Sequence, residues 1–298
     1  MEPQPNPNGA VAAVLALHHP GPGGLAAVER AAGLAARVFV VDNSRPPVEL
    51  DGAPAGVRHI RNGANLGVAR ALNQGMLAAR DEGFAYALLL DQDSALERTC
   101  LERLVAAHAA IGDAFIVCPR VLYGPPAVRR RGSREGGVAR VTVAISSGSL
   151  IDLSRLDEVG LHDEKLFIDY VDFEYCLRAA TRGHFTYRVA DAVMHHRLGD
   201  QRATRFLGVR RTPTHHSPER RYYKTRNMLY VWSRYARTHP RWVLRSAGKF
   251  LIELVEIWLF ENRKVEKTRA CLQGGKDFLL GRYGERGSRI GAPAVRPG

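Results

Sequence analysis

The sequence predicts an α/β fold in which helices cover both faces of a mostly parallel central sheet, followed by a C-terminal helical extension. Over roughly the first 120 residues, short aliphatic runs alternate with alanine-rich stretches of helical spacing. These aliphatic runs are continuously apolar, which is typical of parallel strands buried on both faces. Near the C-terminal end, charged side chains recur every three or four positions, which indicates helices.

The predicted elements of the first half alternate between strand and helix. The strand segments are AVAAVLAL, RVFVV, VRHI, YALLL and FIVC, and the helical segments are GGLAAVERAAGLAA, VARALNQGMLAARDEG and LERTCLERLVAAHAA. In the second of these helices, Leu72, Met76 and Ala79 lie on one face. Further on, VTVAISSGSLIDL predicts two strands around a small-residue turn, FTYRV and AVMHH predict two more strands, and a helix begins near Asp172.

The segment RWVLRSAGKFLIELVEIWLF predicts an amphipathic helix. Its charges form one stripe, made by Arg241, Arg245, Lys249, Glu253 and Glu256. The stripe leaves a broad apolar face that contains Trp242, Phe250, Leu254 and Ile257. Because no window of about 18 residues there is free of charge, a transmembrane span is not expected. Docking on the protein core is the preferred interpretation of this helix. A position at a membrane interface is the alternative, and the basic residues nearby add some support to it.

The chain is strongly basic, with a formal net charge of +13 over 298 residues. Basic residues gather over 129–137 and 197–249. Such charge suits nucleic acid, an anionic membrane surface or phosphorylated substrates. We do not expect nucleic acid as a partner, because no helix-turn-helix, zinc-finger or RNP-like motif accompanies the charge.

The cysteines and the N-terminus indicate a cytoplasmic protein. Four cysteines are scattered along the chain without a CxxC pair: Cys100, Cys118, Cys176 and Cys271. We expect reduced thiols in the protein interior. The polar, proline-rich start MEPQPNPNGA lacks the basic and apolar regions of a secretory signal, so export is not expected.

Several polar residues immediately follow the predicted strands: Asp42, Asn43, Asn65, Gly67, Asp91 and Asp93. In open parallel sheets, ligands bind beyond the carboxyl ends of the strands, so all of these residues can line one crevice. Asp, Asn and Gly also make ordinary turns, which is the simpler interpretation for any one of the loops. The convergence of three such loops on one edge favours a binding site.

Acidic residues and histidines supply candidate chemistry. The pairs Asp91/Asp93 and His195/His196, together with a group at Asp169, Asp172 and Glu174, are the conspicuous sets. A divalent cation that also binds a diphosphate needs few protein ligands, so one carboxylate and one imidazole suffice. Taken alone, the His195/His196 pair is most simply interpreted as the end of a strand with one histidine on each face. The chain lacks GxGxxG and P-loop motifs, which weakens hydride transfer and NTP hydrolysis as functions.

A hydrolase with Asp93 and Asp172 as paired carboxylates is a competing interpretation. It does not explain the nucleotide-like crevice of the first three loops. A transferase does explain this crevice, because its reaction needs one catalytic base, one metal ion and a leaving group that must be stabilised.

Six segments carry a family resemblance: VVDNS, NGANLGVARALNQGMLAA, YALLLDQDS, ISSGSLIDL, GLHDEKLFIDYVDFEYCLRAATRG and HHRLGD. Together they resemble the inverting family-two glycosyltransferases, and within them the bacterial rhamnosyltransferases that use dTDP-rhamnose. RRYYKTRNMLY also resembles a segment of that branch. The similarity runs in order over roughly 11–285. One departure is DNSRPP, where the family more often has a residue between Asn and Ser.

The resemblance implies a GT-A fold, a Rossmann-like nucleotide-diphospho-sugar transferase, and roles for residues around the donor. Asp42 is expected to contact the pyrimidine base, and Asn65 with Gly67 to shape the loop beside the nucleotide. Asp91 is expected near the ribose. The backbone at Ser147 and Gly148 is expected to border the donor sugar.

The resemblance also implies a metal site and a catalytic base. Asp93 and His196 match the ligands of a Mg²⁺ or Mn²⁺ ion that bridges the donor diphosphate. Asp172 matches the base that deprotonates the acceptor hydroxyl. Glu174 and Arg178 are expected to support it from the start of the same helix.

The implied organisation is a disordered tail over 1–10, a GT-A domain over 11–215, a helical region over 216–285 that packs on the domain or on a membrane, and a flexible tail over 286–298. The expected partners are a nucleotide-sugar donor, with dTDP-rhamnose favoured, and a cell-surface glycan or lipid-linked sugar acceptor. An anionic membrane surface and a second copy of the chain are further candidates. These point to a cytoplasmic protein held loosely at the inner membrane face.

Two alternatives remain open from the sequence. FIDYVDFEYCLR is similar in galactofuranosyltransferases, so a UDP-galactofuranose donor, or another UDP-hexose, is the alternative within the enzyme class. Outside it, the basic surface suits a polyanion-binding protein on an inactive transferase fold. The combination of Asp93, Asp172 and His196 argues against an inactive fold.

Overall fold

The computed structural model describes residues 10–123, 137–196, 204–206, 209–211 and 215–287. The chain packs as two compact units. The first contains residues 1–163 and 172–197, and the second contains residues 164–171 and 198–298.

The first unit contains one mixed sheet. Its described strands are β1 (Val11–Leu17), β2 (Arg37–Asp42), β3 (Val57–Arg61), β4 (Tyr86–Asp91), β5 (Ser94–Leu96), β6 (Ala114–Tyr123), β7 (Val138–Val141), β8 (Leu150–Asp152) and β9 (Phe185–His196). They lie in the order β3-β2-β1-β4-β8-β6-β9-β5, with β7 also paired to β9. The first four strands of that order are parallel, and so are β6 and β9. The strands β5, β7 and β8 run antiparallel to their neighbours.

Helices of the first unit cover the sheet on both faces: α1 (Gly24–Ala32), α2 (Val68–Asp81), α3 (Cys100–Ala109), α4 (Leu156–Val159) and α5 (Val171–Thr181). Short 3₁₀ turns lie at Gly21–Gly23 and Leu153–Arg155. In β1, Ala13 and Leu15 belong to one buried cluster with residues of α1 and α3, whereas Ala12 and Val14 belong to another with residues of α2 and α5. The period of two along a strand produces this division. The predicted sheet with both faces covered is confirmed.

Gly75 allows α2 to lie directly against β1. A Cβ atom built at Gly75 would come within 2.2 Å of the Cγ1 atom of Val14. Real Cβ atoms do not approach a neighbour so closely, so this contact between helix and strand requires glycine.

The later strands differ in detail from the expectation. FTYRV and AVMHH form one strand, β9, rather than two. Its pairing with β6 jumps from Val189 opposite Pro119 to Val193 opposite Arg120, so Ala190–Ala192 bulge out of the ladder. A bulge interrupts the apolar pattern without ending the strand, which explains why the sequence predicts two segments.

The second unit is mainly helical, as predicted for the C-terminal region. It contains α6 (Pro218–Tyr235), α7 (Pro240–Phe260), α8 (Lys264–Leu279), a 3₁₀ turn at Glu164–Leu166 and an antiparallel pair of strands, β10 (Thr204–Phe206) and β11 (Val209–Arg211). Ser217 caps α6 by accepting a hydrogen bond from the Arg220 amide, with Pro218 as the first helical residue.

Buried ion pairs join the three helices of this unit. Arg221 of α6 is 2.7 Å from Glu261, which follows α7, and Lys267 of α8 is also 2.7 Å from Glu261. Arg221 reaches Glu253 of α7 at 3.0 Å. Buried charges persist only when paired and hydrogen-bonded, so this group fixes the register of the helices. In the described part of the chain, no helix is both long and apolar enough to cross a bilayer.

The four cysteines Cys100, Cys118, Cys176 and Cys271 are buried and free. Burial raises the pKa of Cys100 and Cys118 to about 12. A thiol with so high a pKa is protonated and unreactive at neutral pH, so these cysteines act as core residues.

Candidate functional site

Amide side chains join the loops at the carboxyl ends of β2 and β3. The Asn43 side chain donates a 3.1 Å hydrogen bond to the carbonyl of Gly67, and the Gly67 amide donates a 3.0 Å bond to Asn65 Oδ1. Asn62 donates to Asn43 Oδ1 at 2.8 Å, and Asn62 and Gln74 exchange further hydrogen bonds. Gly67 has a φ of 86°, which favours glycine, and immediately precedes α2. The predicted crevice residues Asn65 and Gly67 therefore belong to one network.

Asp42 lies fully buried at the end of β2. Its Oδ1 accepts a 2.8 Å hydrogen bond from the Ser44 amide, and its Oδ2 accepts a 2.6 Å bond from the Val48 amide. His59 Nε2 is 3.4 Å from Oδ2. Burial alone would raise the pKa of Asp42, but the hydrogen bonds from Ser44 and Val48, together with the nearby His59 ring, outweigh it and hold the pKa below its usual range.

The carboxylate of Asp42 therefore fixes the loop DNSRPPV. The predicted contact between Asp42 and a pyrimidine base stays a prediction, and the structure adds a conformational role for the same residue.

Asp91 and Asp93 flank the sharp turn after β4. Asp91 is half-buried, whereas Asp93 is exposed. Between them, Gln92 accepts a 3.1 Å hydrogen bond from the His18 amide, which ties the turn to the end of β1. The Asp91 amide donates to Ser94 Oγ at 3.0 Å. The turn thus holds the two carboxylates in different surroundings.

Strand pairing brings the predicted metal ligands to the same edge of the sheet. In the antiparallel pair β5–β9, Ser94 lies opposite His196. Asp93 directly precedes Ser94 in the sequence, so it is one residue away from the partner of His196 in this strand pair. The side chain of His196 lies outside the described part of the structure.

The donor set suits a hard cation only when a substrate completes it. An exposed carboxylate such as Asp93 is a suitable oxygen ligand for Mg²⁺ or Mn²⁺. Among the side chains that the structure describes, no group of three or more His, Cys, Asp or Glu is arranged to hold a metal ion. Oxygen atoms from a bound diphosphate would therefore have to supply the remaining ligands.

The turn ISSGS connects β4 to the rest of the site. Gly148 donates a 2.8 Å hydrogen bond to the Leu89 carbonyl, and the Ser147 and Ser94 hydroxyls share a short hydrogen bond. Gly148 has a φ of 78°, and a Cβ there would lie 2.6 Å from the Met194 sulfur. Both the backbone conformation and the space require glycine.

Asp172 stands in the first turn of α5 and is half-buried. Its Oδ1 accepts a 2.9 Å hydrogen bond from the Phe173 amide. Carboxylates are stabilised at helix N-termini by the unpaired amides and the helix dipole.

Glu174 and Arg178 form an ion pair inside the same helix. Glu174 is buried, and the Arg178 guanidinium binds it through Nε and Nη2 at 3.1 and 2.9 Å. Arg178 also donates to the Val159 carbonyl at 2.9 Å, which joins α5 to the end of α4. The pair therefore fixes the first two turns of the helix that carries Asp172.

A cleft of about 270 Å³ opens beside α5. Its lining includes Phe173, which follows Asp172, and Ser147 of the ISSGS turn, together with Arg120, Tyr123 and Arg188. Burial raises the pKa of Tyr123, and the nearby Asp172 carboxylate raises it further. The Tyr123 hydroxyl is therefore protonated at neutral pH and close to the predicted base.

Sequence reasoning did not single out Arg120, Tyr123 or Arg188. A detectable signal existed, because arginines interrupt the apolar strands FIVCPRVLY and FTYRVADAV. Charged residues inside such strands are costly unless they face a cleft or a partner.

Comparisons with known proteins bear on the family and the fold of the chain. Residues 26–161 match the family described as Glycosyl transferase family 2. The chain is 34% identical over 178 residues to the protein named dTDP-rhamnosyl transferase RfbF of Shigella flexneri. The aligned region covers 55% of this chain. The matched region spans 59% of that relative's length.

The fold matches a structure titled "Crystal structure of GalNAc-T7 with UDP, GalNAc and Mn2+", with a TM-score of 0.54 and 15% identity. That match covers 75% of this chain and 47% of the other. At this identity the likeness concerns the fold alone, and it confirms the predicted GT-A architecture.

Proposed function

We propose that this chain, which carries a glycosyltransferase family 2 domain over residues 26–161, transfers L-rhamnose from dTDP-rhamnose to a hydroxyl group of a glycan or lipid-linked acceptor. The choice of donor is supported by the similarity to the rhamnosyltransferase of Shigella flexneri. The reaction is a single displacement that inverts the anomeric carbon.

The observation that carries the proposal is the position of Ser147. Its hydroxyl is hydrogen-bonded to Ser94, next to Asp93 in the turn after β4. The same residue lines the cleft that contains Phe173, next to Asp172. A donor held at the turn and an acceptor held in the cleft would thus meet at the ISSGS turn, which supports a transferase over a hydrolase.

Asp172 is proposed as the general base. It accepts the proton of the acceptor hydroxyl while that oxygen attacks the anomeric carbon from the face opposite the diphosphate. The new C–O bond forms as the bond to the diphosphate breaks, and dTDP leaves with the electron pair. The Phe173 amide and the Glu174–Arg178 pair orient the carboxylate, so reaction geometry is set before the acceptor binds.

Asp93 and His196 are proposed to hold Mg²⁺ or Mn²⁺. When bound, the ion would offset the negative charge that develops on the leaving diphosphate. The loop held by Asp42 and the amide network of Asn43, Asn65 and Gly67 would enclose the nucleotide.

A donor panel with the purified chain tests the proposal. We expect Mn²⁺-dependent turnover of dTDP-rhamnose and little turnover of UDP-galactofuranose or other UDP-hexoses. Asp172→Asn should reduce transfer at least about a hundredfold while leaving dTDP binding intact, because it removes the base and not the donor contacts. Asp157→Asn, a change at an exposed aspartate of α4, is the matched control. Turnover of UDP-galactofuranose alone would reverse the donor assignment, and normal turnover by Asp172→Asn would refute the assigned base.

A further inference from the structure

The outward surface of α7 is unusually apolar. Six large side chains there are between 47% and 72% exposed: Leu244, Leu251, Ile252, Val255, Trp258 and Leu259. At 3.6 residues per turn, these six positions fall within about 120° of the helix circumference. We call this surface the α7 apolar sector. Exposed apolar patches of this kind on a folded protein mark a binding surface.

The opposite side of α7 already packs within its own unit. Ile257 is buried, and Trp242 meets the Tyr170 ring edge-on. Glu253 turns inward and binds Lys224 at 2.6 Å and Arg221 at 3.0 Å. The apolar face expected from the sequence, which includes Trp242 and Ile257, is therefore the packed face, and the α7 apolar sector is a second one.

Basic side chains border the α7 apolar sector on one side. Arg241, Arg245 and Lys249 are exposed, and their spacing of four places them in a row along the edge of the sector. Neither acid of α7, Glu253 or Glu256, is exposed. An apolar sector flanked by cations and free of exposed acids is the pattern of a helix that lies in a membrane interface.

We propose that the α7 apolar sector docks on an anionic lipid bilayer, with the helix parallel to the membrane plane. Trp258, Leu259 and their apolar neighbours enter the boundary between headgroups and acyl chains, and the three cations contact lipid phosphates. Charge decides between a bilayer and a second copy of the chain. If two copies paired through α7, the partner's α7 would present no exposed acid to these three cations. An anionic membrane would neutralise all three.

The inference does not depend on the proposed transferase reaction, because vesicle binding needs neither donor nor acceptor. It explains how a chain without a membrane-crossing helix in its described part could reach a lipid-linked substrate.

Vesicle co-sedimentation of the full chain tests the proposal. We expect binding to phosphatidylcholine vesicles that contain phosphatidylglycerol, weak binding without it, and a loss of binding in high salt. The Trp258→Ser/Leu259→Ser double variant should bind at least about tenfold more weakly, since it removes the largest apolar contacts. Changing all three cations to glutamine should weaken binding about a hundredfold, because each contributes about fivefold at an anionic surface.

A matched control uses an exposed leucine on another helix. Leu272 of α8 is 70% exposed, and Leu272→Ser changes a similar apolar area outside α7. It should leave vesicle binding within about twofold of the wild type. Equal losses in both variants, or no binding by the wild type, would overturn the proposal. The proposal would also be overturned if the wild type formed a dimer, the double variant did not, and neither protein bound vesicles. Circular dichroism verifies that each variant is folded.

Discussion

The side-chain amide of Asn227 donates a 2.6 Å hydrogen bond to the backbone carbonyl of Leu166. The same nitrogen also reaches the carbonyls of Ile168 at 2.7 Å and Asp169 at 3.0 Å. Asn227 is completely buried in α6, and its Oδ1 accepts a hydrogen bond from Arg226. One side chain thus contacts three backbone carbonyls within the segment that precedes Asp172 in the chain.

This segment is held in an unfavourable backbone conformation. Phe167, Asp169 and Tyr170 have φ values of 60°, 64° and 65°, a region that non-glycine residues enter at a cost of about 1 kcal/mol or more each. Such a conformation persists only when its surroundings enforce it, and the Asn227 hydrogen bonds are the direct constraint. The segment ends at Val171, directly before Asp172 in the sequence.

We predict that Asn227→Ala lowers kcat at least about tenfold while leaving the KM for dTDP-rhamnose within about threefold. The unmet carbonyls should also destabilise the protein by about 2 kcal/mol. Steady-state kinetics and urea unfolding measure the two effects, with Asn262→Ala as the exposed control. A folded variant with an unchanged kcat would show that the segment holds its shape without Asn227.

The second prediction concerns Asp93. Asp93→Asn should abolish the metal dependence of dTDP binding and reduce transfer at least about a hundredfold, since it removes a charged oxygen ligand. Calorimetry with Mn²⁺ and with EDTA measures the first effect. In the wild type, EDTA should stop transfer and added Mn²⁺ should restore it. Asp51→Asn, in an exposed turn, should behave as the wild type. Metal-enhanced dTDP binding that survives in Asp93→Asn would refute Asp93 as a ligand.

Much of the site could be anticipated because its residues follow buried strands. Continuous apolar runs before Asp42 and Asp91 locate the strand ends, and parallel strands bring their carboxyl ends together. The helix that carries Asp172 was also expected near its observed start at Val171. These features depend on local pattern and on one topological rule.

Other features depend on distant partners and had no local signal. The segment 164–171 packs with the C-terminal helices because Asn227 and Arg226 bind its carbonyls from about sixty positions away. The exposed apolar sector of α7 was equally hidden, although its packed face was predicted. Residues over 250–260 are apolar on most sides, so periodicity alone does not reveal that a second apolar face stays exposed.

The third prediction is an acid sensitivity that originates at His162. Burial lowers the pKa of His162 to about 3, and the nearby Arg178 lowers it further. Its ring stacks on Tyr175 with ring centroids 3.9 Å apart, and neither ring nitrogen has a hydrogen-bond partner among the residues that the structure describes. In the unfolded chain the pKa of this histidine is near 6.5. Below that pH, the unfolded chain therefore binds a proton that the folded chain does not bind. Stability from this residue is complete above about pH 6.5 and is lost as pH falls toward 3, by up to about 1.4 kcal/mol per pH unit.

Urea unfolding of His162→Phe between pH 7 and pH 4 checks this slope. The phenylalanine keeps the stacked ring and cannot be protonated, so stability should fall less steeply than in the wild type. The hydrogen bonds between the His162 backbone and the Asn73 side chain do not involve the ring and should remain. Asp152, with a pKa lowered to about 2, loses its contribution only below about pH 4 and does not interfere. The exposed His215→Gln is the control, and equal slopes in wild type and His162→Phe would contradict the assignment.

The last prediction contrasts two helical glycines. In an exposed helix interior, Gly→Ala stabilises by about 0.5–1 kcal/mol because alanine has less conformational freedom to lose. Gly248 of α7 meets nothing within 4 Å of an added Cβ, so Gly248→Ala should follow that rule. Gly75 of α2 differs, since its Cβ would lie 2.2 Å from Val14 Cγ1. Gly75→Ala should therefore destabilise the protein by about 1–3 kcal/mol.

The Val14→Ala variant provides the test of this contact. It removes the clash, so Gly75→Ala should destabilise the protein less in that background than in the wild type. A double-mutant cycle by urea unfolding measures the coupling, and purely additive effects would mean that α2 moves away from β1 at little cost.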